Sequence, residues 1–419
     1  MTDFTVDAAA VIADLDELAQ LSGGRFAGAK RLAWTDDWLD ARRWLIEKLE
    51  ALGLEPHTDP AGNLSADIPG ESAQFILLGS HIDAVPDGGW LDGALGVLTA
   101  LEVVRQIVRT THTPAIGIRF VDWADEEGAR FGRSLIGSSA AAGTLSAAEV
   151  AGLTDRDGVC FADALARCGV DLETAATAPG DVLAGVVAYL ELHIEQGPVL
   201  KDGRILVAPV SRIVGVERHL VTFTGQAAHA GSAPIPLRRD SLAAASRAAL
   251  SIRESAITHG GVATVGGMRS TPGIITAVAG VTEMQLDQRH VDAGQLAVML
   301  EDAHQSCADA AAEFGCTIEM RNLLSAAPTV FDPALIDLVR SSVEELCGRD
   351  VEPIPSGPLH DATEIGRVVP TAMIFAQSDP PISHAAIEDS PNAALAAAVD
   401  AYGRVVERLL SPDMLTTID

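Results

Sequence analysis

Histidine and carboxylate side chains stand directly behind several apolar runs of this chain, at positions where a strand would end. The residues are His81, Asp83, Asp92, Glu126, Glu127, His193 and His384. Imidazole and carboxylate groups are the ligands that zinc and its first-row neighbours prefer in proteins. A single carboxylate can also bridge two ions about 3.5–4 Å apart, an arrangement that serves amide hydrolysis. The sequence therefore predicts a metal site assembled from strand ends.

The adjacent pair Glu126–Glu127 is suited to two different tasks. Neighbouring residues on an extended segment point in different directions, so one carboxylate can bind metal while the other faces a nucleophilic water as general base. Asp83 lies two residues after His81, where a carboxylate can orient the imidazole ring. Each residue also has a simpler interpretation: a buried histidine can be a core residue, Asp92 can be a helix N-cap, and the glutamate pair can lie in a solvated loop. Their succession at consecutive strand ends favours the metal site.

The elements that must position these side chains alternate between strand and helix. Apolar runs predict the strands, and helical spacing of apolar residues predicts the helices. The predicted strands of this part are 63–68, 75–78, 116–121, 186–193 and 371–376, and its helices are 6–21, 38–52, 94–108, 334–346 and 392–410. This order predicts an α/β fold with a mixed, mainly parallel sheet flanked by helices. In such sheets, ligands collect outside the carboxyl ends of the strands.

A different order of elements begins near residue 213. Strands are predicted at 220–224, 273–278, 283–289 and 317–321, with helices at 239–252 and 292–314. The order β-α-β-β-α-β is the split βαβ pattern of a small ferredoxin-like α+β domain. We therefore predict a catalytic domain in two parts, 1–212 and 327–419, interrupted by an inserted domain at 213–326.

Composition excludes several classes of function. The 419 residues carry a net charge of −29, which disfavours binding to nucleic acid or to anionic membrane surfaces. No apolar run is long enough to span a membrane, and residues 1–4 lack the basic start of a signal peptide. The five cysteines are scattered and form no C-x-x-C pair, which favours reduced thiols. We expect a cytoplasmic protein that acts on a small molecule.

Six segments, in the same order along nearly the whole chain, resemble one family of enzymes. They are 79–86 (GSHIDAVP), 92–97 (DGALGV), 125–131 (DEEGARF), 191–198 (ELHIEQGP), 229–231 (HAG) and 383–384 (SH). The chain is similar to the dinuclear-metal amidohydrolases, which include N-carbamoyl-L-amino-acid hydrolases, allantoate amidohydrolases and 3-ureidopropionases. That family belongs to the aminoacylase/carboxypeptidase-like metallopeptidase superfamily.

The resemblance implies a centre with two divalent metal ions, which would be zinc or else manganese, cobalt or nickel. One ion would be held by His81, Asp92 and His384, and the other by Asp92, Glu127 and His193. A hydroxide bridging the two metals would attack the substrate's carbonyl. Glu126 would be the general base that generates it and later protonates the leaving nitrogen, with Asp83 as the orienting carboxylate.

The resemblance also implies that the inserted domain serves as a lid and as the dimerisation surface of a homodimer. His229 would then act at the active site of the partner subunit, where it would polarise the scissile carbonyl and stabilise the oxyanion. Without its neighbours Ala230 and Gly231, His229 would be interpreted as an ordinary strand-end histidine.

Three predicted substrate contacts follow from the same resemblance. Arg289 matches an arginine that binds the substrate's carboxylate, and a guanidinium suits bidentate recognition of that group. A structural salt bridge to Asp287 or Asp292 is the alternative role for this arginine. Gln196 and His360 are the other expected polar contacts with the substrate.

Three positions depart from the family's pattern. Thr276 stands where an asparagine is usual, Leu359 where a small residue is usual, and Pro381 where a glycine is common. Loss of the asparagine amide removes donors from the carboxylate clamp, and the bulkier leucine should reshape the acyl-side pocket. These changes leave the metal-binding residues intact. The sequence therefore predicts the class of reaction and leaves the substrate open.

These observations predict an amidohydrolase that cleaves a linear C–N amide of a small N-carbamoyl, ureido or N-acyl amino acid. An N-acyl-amino-acid hydrolase or a dipeptidase on the same scaffold is one alternative. A catalytically silent metal-binding protein is another. The presence of Glu126 argues against the silent protein, because a purely structural metal site needs no base.

Overall fold

The computed structural model describes residues 5–110, 113–177 and 180–411. The chain divides into a larger unit, Met1–Ser211 with Val330–Asp419, and an inserted unit, Arg212–Thr329. The sequence had placed the insertion at 213–326. Residues 1–4, on which the expectation of no signal peptide rests, lie outside the described residues.

The strands and helices are numbered along the chain. The strands are β1 (His57–Thr58), β2 (Leu64–Ile68), β3 (Phe75–His81), β4 (Gly117–Trp123), β5 (Val186–Ile194), β6 (Val207–Ile213), β7 (Gly215–Thr224), β8 (Ala228–His229), β9 (Val262–Thr271), β10 (Ala277–Val278), β11 (Val281–His290), β12 (Thr317–Ala326), β13 (Thr329–Val330), β14 (Ile354–Ser356) and β15 (Thr371–Ala376). The α-helices are α1 (Ala8–Gln20), α2 (Asp36–Ala51), α3 (Ala94–Arg109), α4 (Ile136–Ala141), α5 (Ala147–Val150), α6 (Phe161–Arg167), α7 (Leu172–Thr177), α8 (Val199–Gly203), α9 (Ser241–His259), α10 (Ala293–Glu313), α11 (Pro333–Cys347), α12 (Ala362–Ile365) and α13 (Asn392–Leu409). Among the described residues, no helix combines the length and the apolar character needed to cross a bilayer.

A nine-stranded mixed sheet lies at the centre of the larger unit, in the order β1-β2-β4-β3-β5-β15-β6-β13, with β14 beside β6. Strand β3 is parallel to β4 and to β5, and β15 is parallel to β5. The flanking pairs β2–β4 and β15–β6 are antiparallel. Strands β3 and β4 are buried apolar runs because helices such as α3 pack over the sheet. The predicted mixed sheet flanked by helices is therefore confirmed.

The inserted unit contains a four-stranded antiparallel sheet in the order β12-β7-β11-β9, and helices α9 and α10 pack against it. Alternate strand residues such as Val221, Phe223 and Met284 form a buried core with these helices. The order β7-α9-β9-β11-α10-β12 is the split βαβ pattern. A separate two-stranded ladder joins β8 to β10.

One predicted strand of the inserted unit is wrong. The sequence predicted a strand at 273–278, but the second strand of the sheet is β9, which pairs with β11. Only Ala277–Val278 of the predicted segment form a strand, and they pair with β8. Strand β9 is an edge strand with no fully buried residue, and it contains Gly266 and Gly267. It therefore lacks the apolar pattern by which a buried strand is predicted.

Candidate active site

Helix α3 begins two residues after Asp92 in the chain. The loop between β3 and α3 places Asp92 beside the end of β3. His81 is the last residue of β3 and is buried. Gly93, between Asp92 and the helix, has a φ of 64°, and a Cβ there would lie 2.4 Å from Cε1 of His81. Only glycine fits this position. The turn therefore holds His81 and Asp92 side by side.

The structure brings the five predicted metal ligands into two groups that share Asp92. The groups are His81, Asp92 and His193, and Asp92, Glu127 and His384, and within each group the ligand atoms lie within 4.8 Å of one another. Nε2 of His193 is 3.1 Å from Oδ1 of Asp92, whereas Nε2 of His384 is 3.4 Å from Oδ2. Nε2 of His384 is also 3.2 Å from Oε2 of Glu127. Each oxygen of Asp92 thus faces a different group, as a bridging carboxylate requires.

The two groups in the structure differ from the division of ligands implied by the resemblance at His193 and His384. That division paired His384 with His81 and His193 with Glu127, whereas the structure exchanges the two histidines between the groups. The order of strands explains the exchange. Strand β5 lies next to β3 in the sheet, so the end of β5 brings His193 beside His81. The loop behind β15 carries His384 to Glu127.

The far side of each buried imidazole is held by a backbone carbonyl. Nδ1 of His193 lies 2.9 Å from the carbonyl oxygen of Ile194, and its Nε2 accepts from the backbone N–H of Gly93 at 3.2 Å. Nδ1 of His81 lies 3.1 Å from the carbonyl oxygen of Asp83 and 3.5 Å from its Oδ1. These contacts favour the tautomer that carries its proton on Nδ1 and leaves Nε2 as the donor to a metal.

Asp83, predicted to orient the ring of His81, also binds the backbone of the turn that carries the two glutamates. Its Oδ1 accepts a hydrogen bond from the backbone N–H of Glu126 and its Oδ2 one from that of Glu127, each at 3.2 Å. Asp125, which begins this turn, has a φ of 55° and accepts from the backbone N–H of Gly128. The buried carboxylate of Asp83 therefore fixes the turn that carries both glutamates.

The charges of the cluster are strongly perturbed. Burial opposes ionisation of Asp92, but hydrogen bonds with His193 and His384 outweigh it and hold the pKa of Asp92 well below its usual range. Burial raises the pKa of Glu126 well above its usual range, and burial with the neighbouring charge of Asp92 raises the pKa of Glu127 to about 8. The hydrogen bond with Asp92 is the largest cause that raises the pKa of His384 to about 9. Carboxylates crowded in this way are stabilised by a cation.

The donor set fits a divalent metal. Its imidazole nitrogens and carboxylate oxygens are the ligand types of zinc and other first-row metals. Oε1 of Glu127 is buried without a hydrogen-bond partner, a costly arrangement that an ion would relieve. Oε2 of Glu126 lies 3.7 Å from Nε2 of His81, at the border of the cluster. The site therefore combines metal donors with a carboxyl group that can exchange protons.

Two predicted substrate contacts of the larger unit lie at this cluster. Nε2 of Gln196 donates to Oδ2 of Asp92 at 3.0 Å. His360 is buried, with its ring centre 4.4 Å from that of His193. Burial lowers the pKa of His360 well below its usual range, so the ring is neutral. Gln196 thus contacts Asp92, whereas His360 packs against His193. Leu359 and Pro381, two of the positions that differ from the family's pattern, are both half-buried.

Two residues near Asp92 were not predicted from the sequence. Glu388 is fully buried and accepts a hydrogen bond from the backbone N–H of Asp92 at 3.1 Å. Arg31 is also buried, and its Nε donates to the carbonyl oxygen of Ile82 at 2.7 Å. Charged residues in loops are normally exposed, so only the burial of these two side chains identifies them.

In the inserted unit, Arg289 forms a salt bridge with Asp287, which is the alternative role of this arginine. Its Nε donates to Oδ1 of Asp287 at 2.8 Å and its Nη2 to Oδ2 at 3.1 Å. Arg218, on the neighbouring strand β7, donates to the same Oδ2 at 2.8 Å. One carboxylate therefore holds two guanidinium groups close together on the sheet.

His229 lies in β8, and Thr276 directly precedes β10, its partner strand in the two-stranded ladder. His229 is paired with Ala277, and the backbone N–H of Ala230 donates to the carbonyl oxygen of Thr276 at 2.8 Å. Both His229 and Thr276 are exposed. The backbone N–H of Gly231 donates to Nδ1 of His229 at 3.1 Å, so in the neutral ring the proton is on Nε2. That nitrogen is then a hydrogen-bond donor at an exposed position.

Comparison with known proteins first gives the class. The N-carbamoyl-L-amino acid amidohydrolase of Geobacillus stearothermophilus is 35% identical over 386 residues, which cover 89% of this chain and 91% of the relative. The allantoate amidohydrolase of Escherichia coli (strain K12) is 32% identical over 364 residues, covering 85% and 87%. The chain is an enzyme, a hydrolase of linear amide C–N bonds.

The family is equally clear. Residues 77–408 match peptidase family M20/M25/M40, and the chain belongs to that family. A solved amidase of the hydantoinase/carbamoylase family from Burkholderia vietnamiensis superposes with a TM-score of 0.86 at 32% identity, covering 98% of this chain and 100% of that chain. The resemblance seen in the six sequence segments is therefore confirmed.

Proposed function

We propose that this enzyme hydrolyses the C–N amide of a small N-carbamoyl or ureido amino acid. The observation that carries the proposal is the pair of donor groups that share Asp92, with Glu126 beside them. Support comes from relatives named as N-carbamoyl-L-amino acid and allantoate amidohydrolases, which match most of the chain.

We infer that the centre takes two divalent ions, zinc or else manganese, cobalt or nickel. His81, Asp92 and His193 would hold one ion, and Asp92, Glu127 and His384 the other. When bound, such ions polarise a carbonyl group and lower the pKa of water. The side chains of His81 and His193 are 1% exposed, whereas that of His384 is 52% exposed. The ion at the more exposed group should therefore dissociate more readily.

Glu126 would move the protons of the reaction. It would accept a proton from the attacking water and return it to the nitrogen that leaves. The turn held by Asp83 keeps its carboxyl group beside the donor cluster, and its own burial excludes bulk water from the transfer. Asp83 would thus act by positioning this base as well as the ring of His81.

Arg289 would bind the carboxylate of the substrate. Asp287 already holds this guanidinium in one orientation, and a side chain that is fixed in advance loses less entropy on binding. Thr276 offers a hydroxyl in place of two amide donors, and Leu359, the residue before His360, would add bulk to the pocket. These two residues would narrow the range of ureido acids that the enzyme accepts.

The inserted unit would join two copies of the chain. Strand β9 is an edge strand that pairs only with β11 among the described residues, and exposed edges pair readily with another chain. Next to it, α9 exposes Leu242, Leu250 and Ile257, whose spacing of eight and seven residues keeps them on one helix face. A homodimer formed through this edge and face would cover both, with His229 acting at the partner's centre.

The oligomeric state can be tested by replacing one residue of that face. Leu250→Glu should convert a dimer into a monomer in analytical ultracentrifugation. Val298→Glu, on the exposed side of α10, is the matched control and should leave the dimer intact. A wild-type monomer, or equal behaviour of the two variants, would contradict the proposed surface.

We also infer a cytoplasmic location. All five cysteines are free thiols, and two of them, Cys307 and Cys347, lie in helices with no cysteine partner. Unpaired thiols of this kind are typical of a reducing compartment.

A hydrolysis screen with metal-reconstituted enzyme tests the function. The substrates should include N-carbamoyl amino acids, allantoate, ureidoglycolate, N-acetyl amino acids and dipeptides, with wild type and Glu126→Gln compared under the same metal loading. We expect turnover of at least one N-carbamoyl or ureido acid by wild type alone. Cleavage confined to N-acetyl amino acids or dipeptides would replace the proposed substrate class. Absence of turnover with every compound would refute the proposal.

Arg289 provides a second measurement on any substrate found. Arg289→Ala should raise the KM for a carboxylate-bearing substrate about 10- to 100-fold and change kcat less, because the arginine binds a part of the substrate that does not react. The esterified substrate is the control, and its KM should not respond to the substitution. An unchanged KM for the free acid would place the substrate's carboxylate elsewhere.

A further inference from the structure

Glu388 is a buried acid to which the proposed reaction assigns no role. Its side chain is fully buried, and Oε1 accepts hydrogen bonds from the backbone N–H groups of Leu91 and Asp92, both at 3.1 Å. These two residues form the turn that presents the shared carboxylate of Asp92. Almost three hundred residues of chain separate them from Glu388, so the contact is a tertiary one.

The other oxygen of Glu388 reaches the loop that carries His384. The hydroxyl of Ser383 is hydrogen-bonded to Oε2 of Glu388, and Oγ of Ser383 also lies 3.0 Å from Oδ2 of Asp92. Ser383 directly precedes His384 in the chain. One carboxyl group therefore binds the turn of one metal donor and the loop of another.

The chain leaves space for this carboxyl group at Gly89. A Cβ on Gly89 would lie 1.9 Å from Oε1 of Glu388, a distance at which no side chain fits. The backbone of the turn before Asp92 is thus packed against the carboxyl group. Shape and hydrogen bonding together leave Glu388 with a single arrangement.

We propose that Glu388 is a positioning residue that sets the separation of Asp92 and His384 for the second metal ion. It acts by accepting hydrogen bonds from the turn and the loop, and its own oxygens contact neither the ion nor the substrate. The inference rests on the proposed dinuclear centre. It goes beyond that centre because it assigns the geometry of the Asp92–Glu127–His384 group to a residue outside it.

Two substitutions separate hydrogen bonding from charge. Glutamine keeps a side-chain oxygen that can accept the hydrogen bonds from the backbone N–H groups of Leu91 and Asp92. Its amide N–H2 can donate to the oxygen of the Ser383 hydroxyl, and that hydroxyl can then donate its own proton to Asp92. Glu388→Gln should therefore preserve the arrangement. Alanine removes both acceptors, so Glu388→Ala should loosen it. A role based on negative charge would make the two variants equally defective.

Asp59 provides the matched control. It is 4% exposed, and its Oδ1 accepts from the backbone N–H groups of Ala61 and Asn63, both at 2.9 Å. Asp59→Ala thus removes a buried carboxylate that holds two backbone N–H groups of a turn, as Glu388→Ala does. The turn of Asp59 carries none of the five predicted ligands.

The experiment is a titration of the metal-free, full-length protein with Co²⁺, followed by calorimetry and by the visible absorbance of the bound ion. We expect wild type to bind two ions and Glu388→Ala to bind the second about 10- to 100-fold more weakly, the usual effect of removing a residue that holds metal ligands. Glu388→Gln and Asp59→Ala should bind both ions with affinities within about threefold of wild type.

Four results would overturn the inference. They are unchanged affinity in Glu388→Ala, equal loss in Asp59→Ala, equal loss in Glu388→Gln, and failure of wild type to bind Co²⁺. Failure of wild type to bind Co²⁺ would refute the dinuclear centre itself, whereas the other three results would refute only the role of Glu388. If Glu388→Ala does not fold, Ser383→Ala removes the hydroxyl that contacts Glu388 and Asp92 and leaves the hydrogen bonds from the backbone N–H groups of Leu91 and Asp92 to Glu388 in place. It should weaken the second ion about tenfold, and wild-type affinity there would also contradict the inference.

Discussion

The substitution Asp83→Asn tests the hydrogen bonds that hold the Glu126–Glu127 turn. Asparagine keeps the shape of aspartate but presents one carbonyl oxygen and one amide N–H2 group. One backbone N–H of the turn then keeps its acceptor, while the other faces a donor. Because Glu126 would transfer the protons of the reaction, a displaced turn should slow turnover as well as lower stability.

The size of both effects follows from the two hydrogen bonds of Asp83 and its burial. A hydrogen bond to a charged group contributes about 1.5–3 kcal/mol, and a buried donor without a partner costs about 1–3 kcal/mol. Since Asp83 is fully buried, losing one of its two bonds should lower the free energy of unfolding by about 2–4 kcal/mol. A catalytic group displaced by about 1 Å costs on the order of 100-fold in rate, which is the expected loss in kcat.

Urea unfolding of the metal-free protein measures the first effect, and kcat at saturating substrate measures the second. Asp87→Asn is the control because Asp87 is an exposed residue of the same loop. Its stability should stay within about 0.5 kcal/mol of wild type. If Asp83→Asn matches wild type in both stability and kcat, the argument that Asp83 holds the base is refuted.

Three further substitutions have defined outcomes. Glu126→Gln should keep fold and metal content but lower kcat about 1,000-fold, since general acid–base catalysis contributes on the order of 10²–10⁴; a wild-type rate would exclude Glu126 as the base. His193→Ala should reduce the metal content measured by elemental analysis, and unchanged stoichiometry would exclude His193 as a ligand. Burial raises the pKa of Cys307 to about 12, so the native thiol stays protonated where an unfolded thiol has ionised. Its contribution to stability is complete below the unfolded pKa of about 8.5 and falls by about 1.4 kcal/mol per pH unit above it. Urea unfolding at pH 8 and 10 should therefore show a shallower loss of stability in Cys307→Ala than in wild type, and equal losses would contradict this origin.

Local patterns were enough to predict the elements of the site. Buried apolar runs identified β3, β4, β5 and β15, and the acids and histidines that follow them in the chain identified all five members of the donor groups. The two ligand groups themselves depend on which strands are neighbours. That order arises from packing across the whole sheet and leaves no trace in the spacing of residues along one strand. His193 and His384 were exchanged for this reason.

Features that depend on burial were also missed. Nothing near Glu388 in the sequence distinguishes it from an exposed acid, and its importance follows from contacts with Leu91 and Asp92 far away in the chain. Strand β9 was missed because it is exposed: an edge strand with two glycines has no buried face to create an apolar pattern. Sequence patterns thus predict best where a residue's environment is decided by its near neighbours.

Strand β15 occupies the place between β5 and β6, although β5 and β6 follow one another closely in the chain. While the protein is being synthesised, the sheet of the larger unit therefore stays open at this place until residues 371–376 have been made. The inserted unit needs only residues 212–329, so it can fold earlier. His384 is made later still, behind β15. A nascent chain that has not reached His384, or a chain cut by a protease before His384, consequently has no complete donor group at Glu127.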